Sequence, residues 1–243
     1  MRGSLLGPEF SESEIRRALE AHGAVFERLD ETAMLERAAG LLADGAMLGW
    51  FQGRMEFGPR SLGGRSILGD ARLASMQSAI NQKVKFRESF RPFAPAVLEE
   101  RAGEYFDLTA ESPYMLLVAD VAKSQRLARP ADESAGFARL KHARSTLPAV
   151  THVDGSARVQ TVGRERHPFF WRLLRQFEQR TGCGVLLNTS FNVRGEPVVC
   201  TPDDAYRCFV NTAIDWLAIG PFLLSRERQP VEKPQPAFDP IPD

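Results

Sequence analysis

A chain of 243 residues with 43% hydrophobic content can bury a substantial core as one domain, or as one domain with a small appendage. Its 31 Lys+Arg balance 31 Asp+Glu, which argues against bulk electrostatic binding to DNA or a membrane surface but not against a local anion site. No apolar run approaches a membrane span and no signal-like start is present, and Cys183, Cys200 and Cys208 lack metal-pair spacing and cannot all pair, so a cytoplasmic protein with reduced thiols is expected.

Ser11 followed by Glu14 has capping-box spacing, and Ile15, Ala18 and Leu19 share a face before Gly23, so a helix is expected there. VFERL at 25–29 alternates like a half-buried strand. Glu31 to Ala43 carries Leu35, Ala38, Ala39 and Leu42 on one face and predicts a second helix, stopped by Gly45. AMLGWF reads as a buried strand feeding a loop rich in glycine and arginine. Helix again fits Ala71 to Lys83, a short strand fits Pro95 to Leu98, and MLLVADV at 115–121 reads as a buried strand.

Lys123 to Thr146 has no sustained period and is expected to form a long, mobile loop. Asp154-Gly155 is a hairpin-turn pair, so strands near Ala149–Val153 and Arg158–Val162 are expected to pair across it. Trp171, Leu174 and Phe177 mark a helix ended by Gly182, and GVLLN is a buried strand. Thr201-Pro202 with Asp204 starts a further helix, and DWLAIGPFLL closes the fold. The segment from Gln229 is rich in proline and expected to be disordered, which puts the folded domain at 1–228 and the tail at 229–243. Helices mixed with strands predict an α/β domain, and the expected hairpin makes its sheet mixed.

Charge is concentrated between Phe51 and Pro95, where Arg54, Arg60, Arg65, Arg72, Lys83, Lys85, Arg87 and Arg91 face only Glu56, Asp70 and Glu88. Gly53, Gly58, Gly63 and Gly64 interleave with them, and such glycines let backbone N–H groups approach an anion. With the bidentate donors of arginine, the pattern points to a pocket for a small polyanion. Arg54, Arg60 and Arg65 would lie in a loop after a buried strand; the alternative is a solvated loop with incidental ion pairs. Lys83 and Lys85 end a helix and offset its dipole without any ligand. Arg91, set between Phe90, Pro92 and Phe93, is expected to be partly buried and to need an anionic partner, either Glu88 or a substrate phosphate.

Two further clusters stand out. His152, Asp154, Ser156 and Arg158 surround the expected hairpin; His152 beside a carboxylate invites an acid–base reading, with a structural histidine as the alternative. Arg158 alternates with Val159 and can point the other way, into a cleft. Asn188, Thr189, Ser190 and Asn192 follow the GVLL run and lead to Arg194-Gly195, a set suited to ribose or phosphate, or else a polar turn bonding its own backbone. No Walker-type motif occurs, so any ATP site is unconventional, and no His/Cys cluster offers a metal site, which leaves Mg²⁺ carried by a nucleotide as the expected cation.

GRMEFGPRSLGGRSIL, KFRESFRPFAP, THVDGSARVQTV and LLNTSFNVRGEP, in that order from Gly53 to Pro197, resemble the carboxy-terminal domain of the carbamoyltransferases. That family includes nodulation-factor, cephamycin and aminoglycoside O-carbamoyltransferases. The resemblance implies a YrdC-like α/β domain, a twisted mixed sheet flanked by helices, that binds carbamoyl phosphate and ATP. It further implies that carbamate is joined to the α-phosphate, giving carbamoyl-adenylate and pyrophosphate. Matched by motif, Lys85, Arg91 and Arg158 would be catalytic, and Arg60, Arg194, Ser190 and Asn188 would bind substrate. Physically, two anionic substrates must meet, and cations with Mg²⁺ would offset their repulsion.

The chain departs from the family pattern in two ways. Gly64 stands where an asparagine is expected, in SLGGRSIL, which removes a hydrogen-bonding side chain. The amino-terminal sugar-kinase-like domain, which in the family holds a metal and the acceptor, is not in this sequence, so the chain is expected to be a fragment, an expressed domain or half of a split enzyme. The competing class is an RNA- or nucleotide-binding module without catalysis: Phe51, Phe57, Phe86, Phe90 and Phe93 allow stacking near the basic stretch, although their alternation with polar residues places them in the core.

Overall fold

The computed structural model describes residues 3–128 and 143–230. Residues 129–142 of the expected loop at 123–146 and residues 231–243 of the proline-rich tail lie outside the described residues. Among the described residues the strands are β1 (Glu27–Arg28), β2 (Leu48–Phe51), β3 (Arg65–Asp70), β4 (Ala94–Leu98), β5 (Leu117–Asp120), β6 (Ser156–Val162), β7 (Val185–Ser190), β8 (Trp216–Ile219) and β9 (Phe222–Ser225). They form a single mixed sheet in the order β1-β9-β8-β2-β3-β7-β4-β6-β5. β2 with β8 and β4 with β6 run parallel; the other pairs are antiparallel.

Helices cover both faces, and side-chain alternation along the strands decides which residue meets which helix. Met34, Leu35 and Leu42 of α2 (Glu31–Ala43) and Phe170, Leu174 and Phe177 of α5 (Pro168–Thr181) pack on Leu48, Trp50, Leu68, Leu98 and Leu186. On the other face, α1 (Glu12–Ala21), α3 (Ala74–Lys83) and α6 (Pro202–Val210) meet Phe51, Ile67, Val97, Val185 and Leu187. α4 (Ala102–Tyr105) adds one short turn there. Each fully buried Leu or Phe contributes roughly 1.5–3 kcal/mol of apolar burial, so paired strand neighbours such as Leu186 and Leu187 hold both layers.

Local signals account for the helix ends. Ser11 and Glu14 form the expected reciprocal cap, Asp30 caps α2 through the Ala33 N–H at 2.9 Å, Thr201 and Asp204 cap α6, and Gly182 ends α5 at φ +72°. α3 begins at Ala74 rather than Ala71, because Ala71 is still buried where the chain leaves β3.

Four expectations are corrected. Arg65, expected in the loop, instead opens a fully buried strand, Arg65–Asp70. No hairpin spans Asp154-Gly155: Pro148–Val150 is a 3₁₀ turn, and β6 pairs instead with β4 and β5. The Asp154-Gly155 turn itself is present, with the His152 N–H donating to Ser156 O at 2.8 Å. β5 exists but lies at a sheet edge, with Leu117 42% and Val118 65% exposed, so its apolar run does not mark burial. Gln229, assigned to the tail, is buried, and its amide bonds the backbone of Val25 in both directions, at 2.8 and 3.1 Å.

Candidate functional site

The α2/α5 face of the sheet changes character along the strands. Leu186, Leu68, Ala96 and Val162 are apolar and covered, but the next same-face positions toward the other end are Asn188, Ser66, Ala94 and Gln160, followed by Ser190 and Arg158. Register aligns Asn188 with Leu68 on one side and Ala94 on the other. The loop from Glu56 to Gly64 lies over this polar end. Asn188 Nδ2 donates to Ser61 O at 3.2 Å and to Gln160 Oε1 at 2.7 Å, while Gln160 Nε2 donates to Leu62 O at 2.8 Å.

Arg60 and Arg158 come together at the margin of this region. Burial, then the neighbouring Arg60 charge, pushes the Arg158 pKa down from the usual arginine value. A terminal nitrogen of Arg158 reaches Met115 Sδ at 3.8 Å, and Met115 packs with Leu62 and Ala94. Val159 turns to the opposite face and is buried there, so Arg158 projects as its alternation requires. Among the described residues, buried polar atoms around this point without a hydrogen-bond partner are Arg60 Nε, Ser61 Oγ, Arg158 Nε and Asn188 Oδ1, together with Glu56 Oε2 at the foot of the loop. Among the described residues no salt bridge joins either Arg60 or Arg158 to a carboxylate, and neighbouring guanidinium groups of this kind favour an anion between them.

Lys85 occupies the far side of β7. It is buried, and its Nζ donates to Ser190 O, Asn192 O (2.9 Å) and Asn192 Oδ1 (2.7 Å), with Ser190 Oγ at 3.3 Å. The helix-dipole account of Lys85 is therefore corrected: this ammonium ties the end of α3 to the turn after β7. Burial lowers its pKa to about 7. Ser190 Oγ in turn donates to Asn192 Oδ1 at 2.6 Å, so the turn is built around one amide oxygen.

Arg91 differs from expectation. Its side chain is 54% exposed and its Nε lies 3.8 Å from Glu88, an exposed pair in place of a partly buried cation. The flanking phenylalanines do not enclose it, because Phe90 points outward, 51% exposed, and only Phe93 is buried. A hydrogen bond from its own backbone N–H, then Arg91, Arg194 and Arg87, lower the Glu88 pKa, which puts Arg194 near the same carboxylate. The cations therefore fall into two groups by their neighbours, Arg60 with Arg158 and Arg91 with Arg194 near Glu88.

Other readings are revised as well. Arg65 is fully buried beneath the loop, its guanidinium 3.6 Å above the Phe51 ring and donating to the carbonyls of Gln52, Gly53, Gly64 and Pro8. It is a structural arginine. Arg54 is exposed and pairs with Glu9 at 3.6 Å. Asp154 Oδ1 accepts from the Ser156 N–H at 3.0 Å and from Ser156 Oγ at 2.7 Å, so this carboxylate braces the turn, and burial lowers the pKa of His152 beside it. Of the phenylalanines placed in the core, Phe51 and Phe93 are buried, whereas Phe57, Phe86 and Phe90 are 76%, 56% and 51% exposed. Sequence reasoning missed Gln160 and Ser61; the signal for Gln160 was its period-2 relation to Arg158.

Concavity points elsewhere. One cleft of about 400 Å³ is lined by Met34, Arg54, His167, Phe169 and neighbours, and another of about 670 Å³ by Asp44, Trp216, Arg226 and neighbours. Neither touches Arg60, Asn188 or Arg158. The orphan polar atoms and adjacent cations carry more chemical information than those clefts, so they define the candidate site. Among the described residues no three His, Cys, Asp or Glu side chains gather to hold a metal ion, the three cysteines are free, and no helix is long and apolar enough to cross a membrane.

Comparison with known proteins identifies the scaffold. Residues 39–226 match the model of the carbamoyltransferase C-terminus family. The chain is 55% identical over 234 residues to an uncharacterized protein of Synechocystis sp., covering 95% of this chain and 38% of that protein. It is 44% identical over 226 residues to nodulation protein NolNO of Sinorhizobium fredii, covering 90% and 30% respectively. It is 37% identical over 185 residues to the 3'-hydroxymethylcephem-O-carbamoyltransferase of Amycolatopsis lactamdurans, covering 76% and 32%. The chain spans about a third of the length of these relatives. It belongs to the carbamoyltransferase C-terminus family.

Proposed function

We propose that this chain binds carbamoyl phosphate and ATP and forms carbamoyl-adenylate, for transfer to an acceptor hydroxyl by a sugar-kinase-like domain of the kind the family resemblance implies. The observation that carries the reading is the set of orphan polar atoms on Arg60, Ser61, Arg158 and Asn188, in a family that includes a named O-carbamoyltransferase. In the first step water displaces phosphate from carbamoyl phosphate, giving carbamate. In the second a carbamate oxygen attacks the α-phosphorus of ATP, and pyrophosphate leaves with the electron pair of the broken P–O bond.

In this scheme Arg60 and Arg158 grip phosphate oxygens, since paired guanidinium groups offer forked donors to a tetrahedral anion. Asn188 presents its free Oδ1 to a ribose hydroxyl or the carbamoyl NH₂. Lys85 and Ser190 hold the turn that carries Arg194, and Lys85 supplies positive charge behind it. Arg91 and Arg194 serve the outer end of the polyanion, near Glu88. Mg²⁺ would arrive on the nucleotide and neutralise the phosphates as charge shifts to the leaving group. The test is to mix the purified protein with ATP·Mg²⁺ and carbamoyl phosphate. Pyrophosphate release dependent on both substrates is expected, and no release with no binding of either would overturn the reading.

A second reading rests on one observation. Phe86 and Phe90, 56% and 51% exposed, stand outward beside Arg87 and Arg91. Exposed aromatics among cations suit a single-stranded RNA. That reading predicts oligonucleotide binding that weakens steeply with salt; the enzyme reading predicts saturable binding of carbamoyl phosphate.

A further inference from the structure

The loop that carries Arg60 and Ser61 is closed by a single buried carboxylate. Glu56 is 6% exposed, and its Oε1 accepts three backbone hydrogen bonds: from the Leu62 N–H at 2.6 Å, the Gly64 N–H at 2.7 Å and the Arg65 N–H at 3.3 Å. The carboxylate stands at one foot of the arch and the three donors at the other. Between them, Phe57 and Gly58 are exposed, and Gly58 has φ +132°. Charge-assisted bonds of this kind are about twice as strong as neutral ones, and here three converge on one oxygen.

The surroundings are built to admit that convergence. A Cβ on Gly64 would meet Arg54 O at 2.7 Å and the Glu56 carboxyl at 3.2 Å, so only glycine lets the N–H groups close on the oxygen. Gly63, at φ +106°, presses its backbone against the Phe170 ring of α5. The outer side of Glu56 is fixed as well: Leu5 bridges Glu56, and the Phe57 N–H donates to Ser4 O at 2.6 Å. Burial lowers the pKa of the Arg65 guanidinium, to about 10, and the nearby Glu56 charge opposes that fall. Glu56 is thus neither a solvated surface acid nor the partner of a loop arginine.

We propose that Glu56 is a positioning residue: it closes the 56–65 arch so that Arg60 and Ser61 hang over Asn188 and Arg158 in the geometry an anion requires. The proposal rests on the substrate assignment above, but the test separates the two. Amide hydrogen exchange is followed in the intact chain and in E56A and E56Q, and carbamoyl phosphate affinity is measured by calorimetry. In E56A the Leu62, Gly64 and Arg65 amides should exchange at least tenfold faster while amides of β7 and α5 keep their protection. E56Q, which retains an acceptor oxygen without the charge, should fall in between.

Carbamoyl phosphate should bind about tenfold more weakly to E56A, the loss of one charge-assisted bond, with partial recovery in E56Q. If E56A fails to fold, E56Q is judged by the same criteria. Unchanged exchange at Leu62 and Gly64 overturns the proposal, as does faster exchange with unaltered affinity. If the parent protein binds no carbamoyl phosphate, the substrate assignment falls, and the exchange data still decide whether Glu56 holds the arch.

Discussion

Asn188 donates to Gln160 across the width of β4, at 2.7 Å, while the oxygen of the same amide has no protein partner. One amide therefore performs two tasks. Its nitrogen locks β7 to β6 and to the loop above, and under the proposed function its oxygen meets the ligand. Replacing Asn188 with alanine should separate them poorly, since Gln160 Oε1 and Ser61 O would both lose a buried donor, at about 1–3 kcal/mol of stability. Asn188→Asp is the sharper variant. It sets a carboxylate against Gln160 Oε1 and places negative charge in the candidate anion site. Thermal denaturation should show a lower midpoint for both variants, and calorimetry should show no anion binding for Asn188→Asp. Normal phosphate or ATP affinity in Asn188→Asp would remove Asn188 from the site.

Arg158 and Arg91 are both catalytic candidates by sequence, and their surroundings differ. Arg158 is partly desolvated beside Arg60, whereas Arg91 is exposed and already faces Glu88. Truncating a desolvated charged contact to a ligand costs about 2–5 kcal/mol, while an exposed pair is worth about 0–1 kcal/mol. Arg158→Met should therefore weaken carbamoyl phosphate binding by more than tenfold, and Arg91→Met by less than tenfold. Without ligand, Arg158→Met should raise the thermal midpoint, because it removes one of two neighbouring cations. A midpoint below that of the parent would mean that Arg158 has a stabilising partner rather than an unmet need for an anion.

The expectations that held were set by neighbours in sequence. Ser11 and Glu14, Asp30, Thr201 and Asp204, and Gly182 fix helix ends within one turn, so local chemistry suffices. What failed depended on partners remote in sequence. RSILGD has no period of its own, and becomes a strand because β2 and β7 flank it on both sides. The hairpin failed because β6 found a better parallel partner in β4 than the chain preceding Asp154. Glu56 was read only as one acid among arginines. Its role depends on Gly63 and Gly64 bringing N–H groups within reach, which is a matter of tertiary approach rather than spacing.

The Lys85 pKa near 7 sets a pH dependence for stability. An unfolded lysine holds its proton up to about 10.4. Between about 7 and that value the unfolded chain binds a proton that the folded chain does not. Stability from this group therefore rises with pH through that window and is lost as pH falls through about 7. Denaturant titrations at pH 6.5 and 9 should show the parent gaining stability relative to Lys85→Met on going to pH 9. A difference that stays constant would mean that the oxygens of Ser190 and Asn192 keep the ammonium charged. Binding of sulfate, which does not titrate in this range, should weaken over the same interval if Lys85 contributes charge to the site.

Gly64 allows a test in the opposite direction, since the family pattern leads one to expect asparagine there. In this chain an added Cβ would meet a backbone oxygen, Arg54 O, at 2.7 Å, and would crowd the Glu56 carboxyl at 3.2 Å. A backbone atom cannot swing aside as a side-chain tip can, so the loop itself must shift. Overpacking of this kind costs about 1–3 kcal/mol. Gly64→Asn should lower the thermal midpoint, and it should also weaken anion binding, because the displaced foot of the arch carries the donors that hold Glu56. Gly64→Ala separates the two effects: it adds the crowding atom without the amide. If both variants lose stability alike, the Cβ is responsible. If Gly64→Asn matches or exceeds the parent in both stability and affinity, the arch has slack that these distances deny, and the hydrogen bonds of Glu56 do not require glycine at this position.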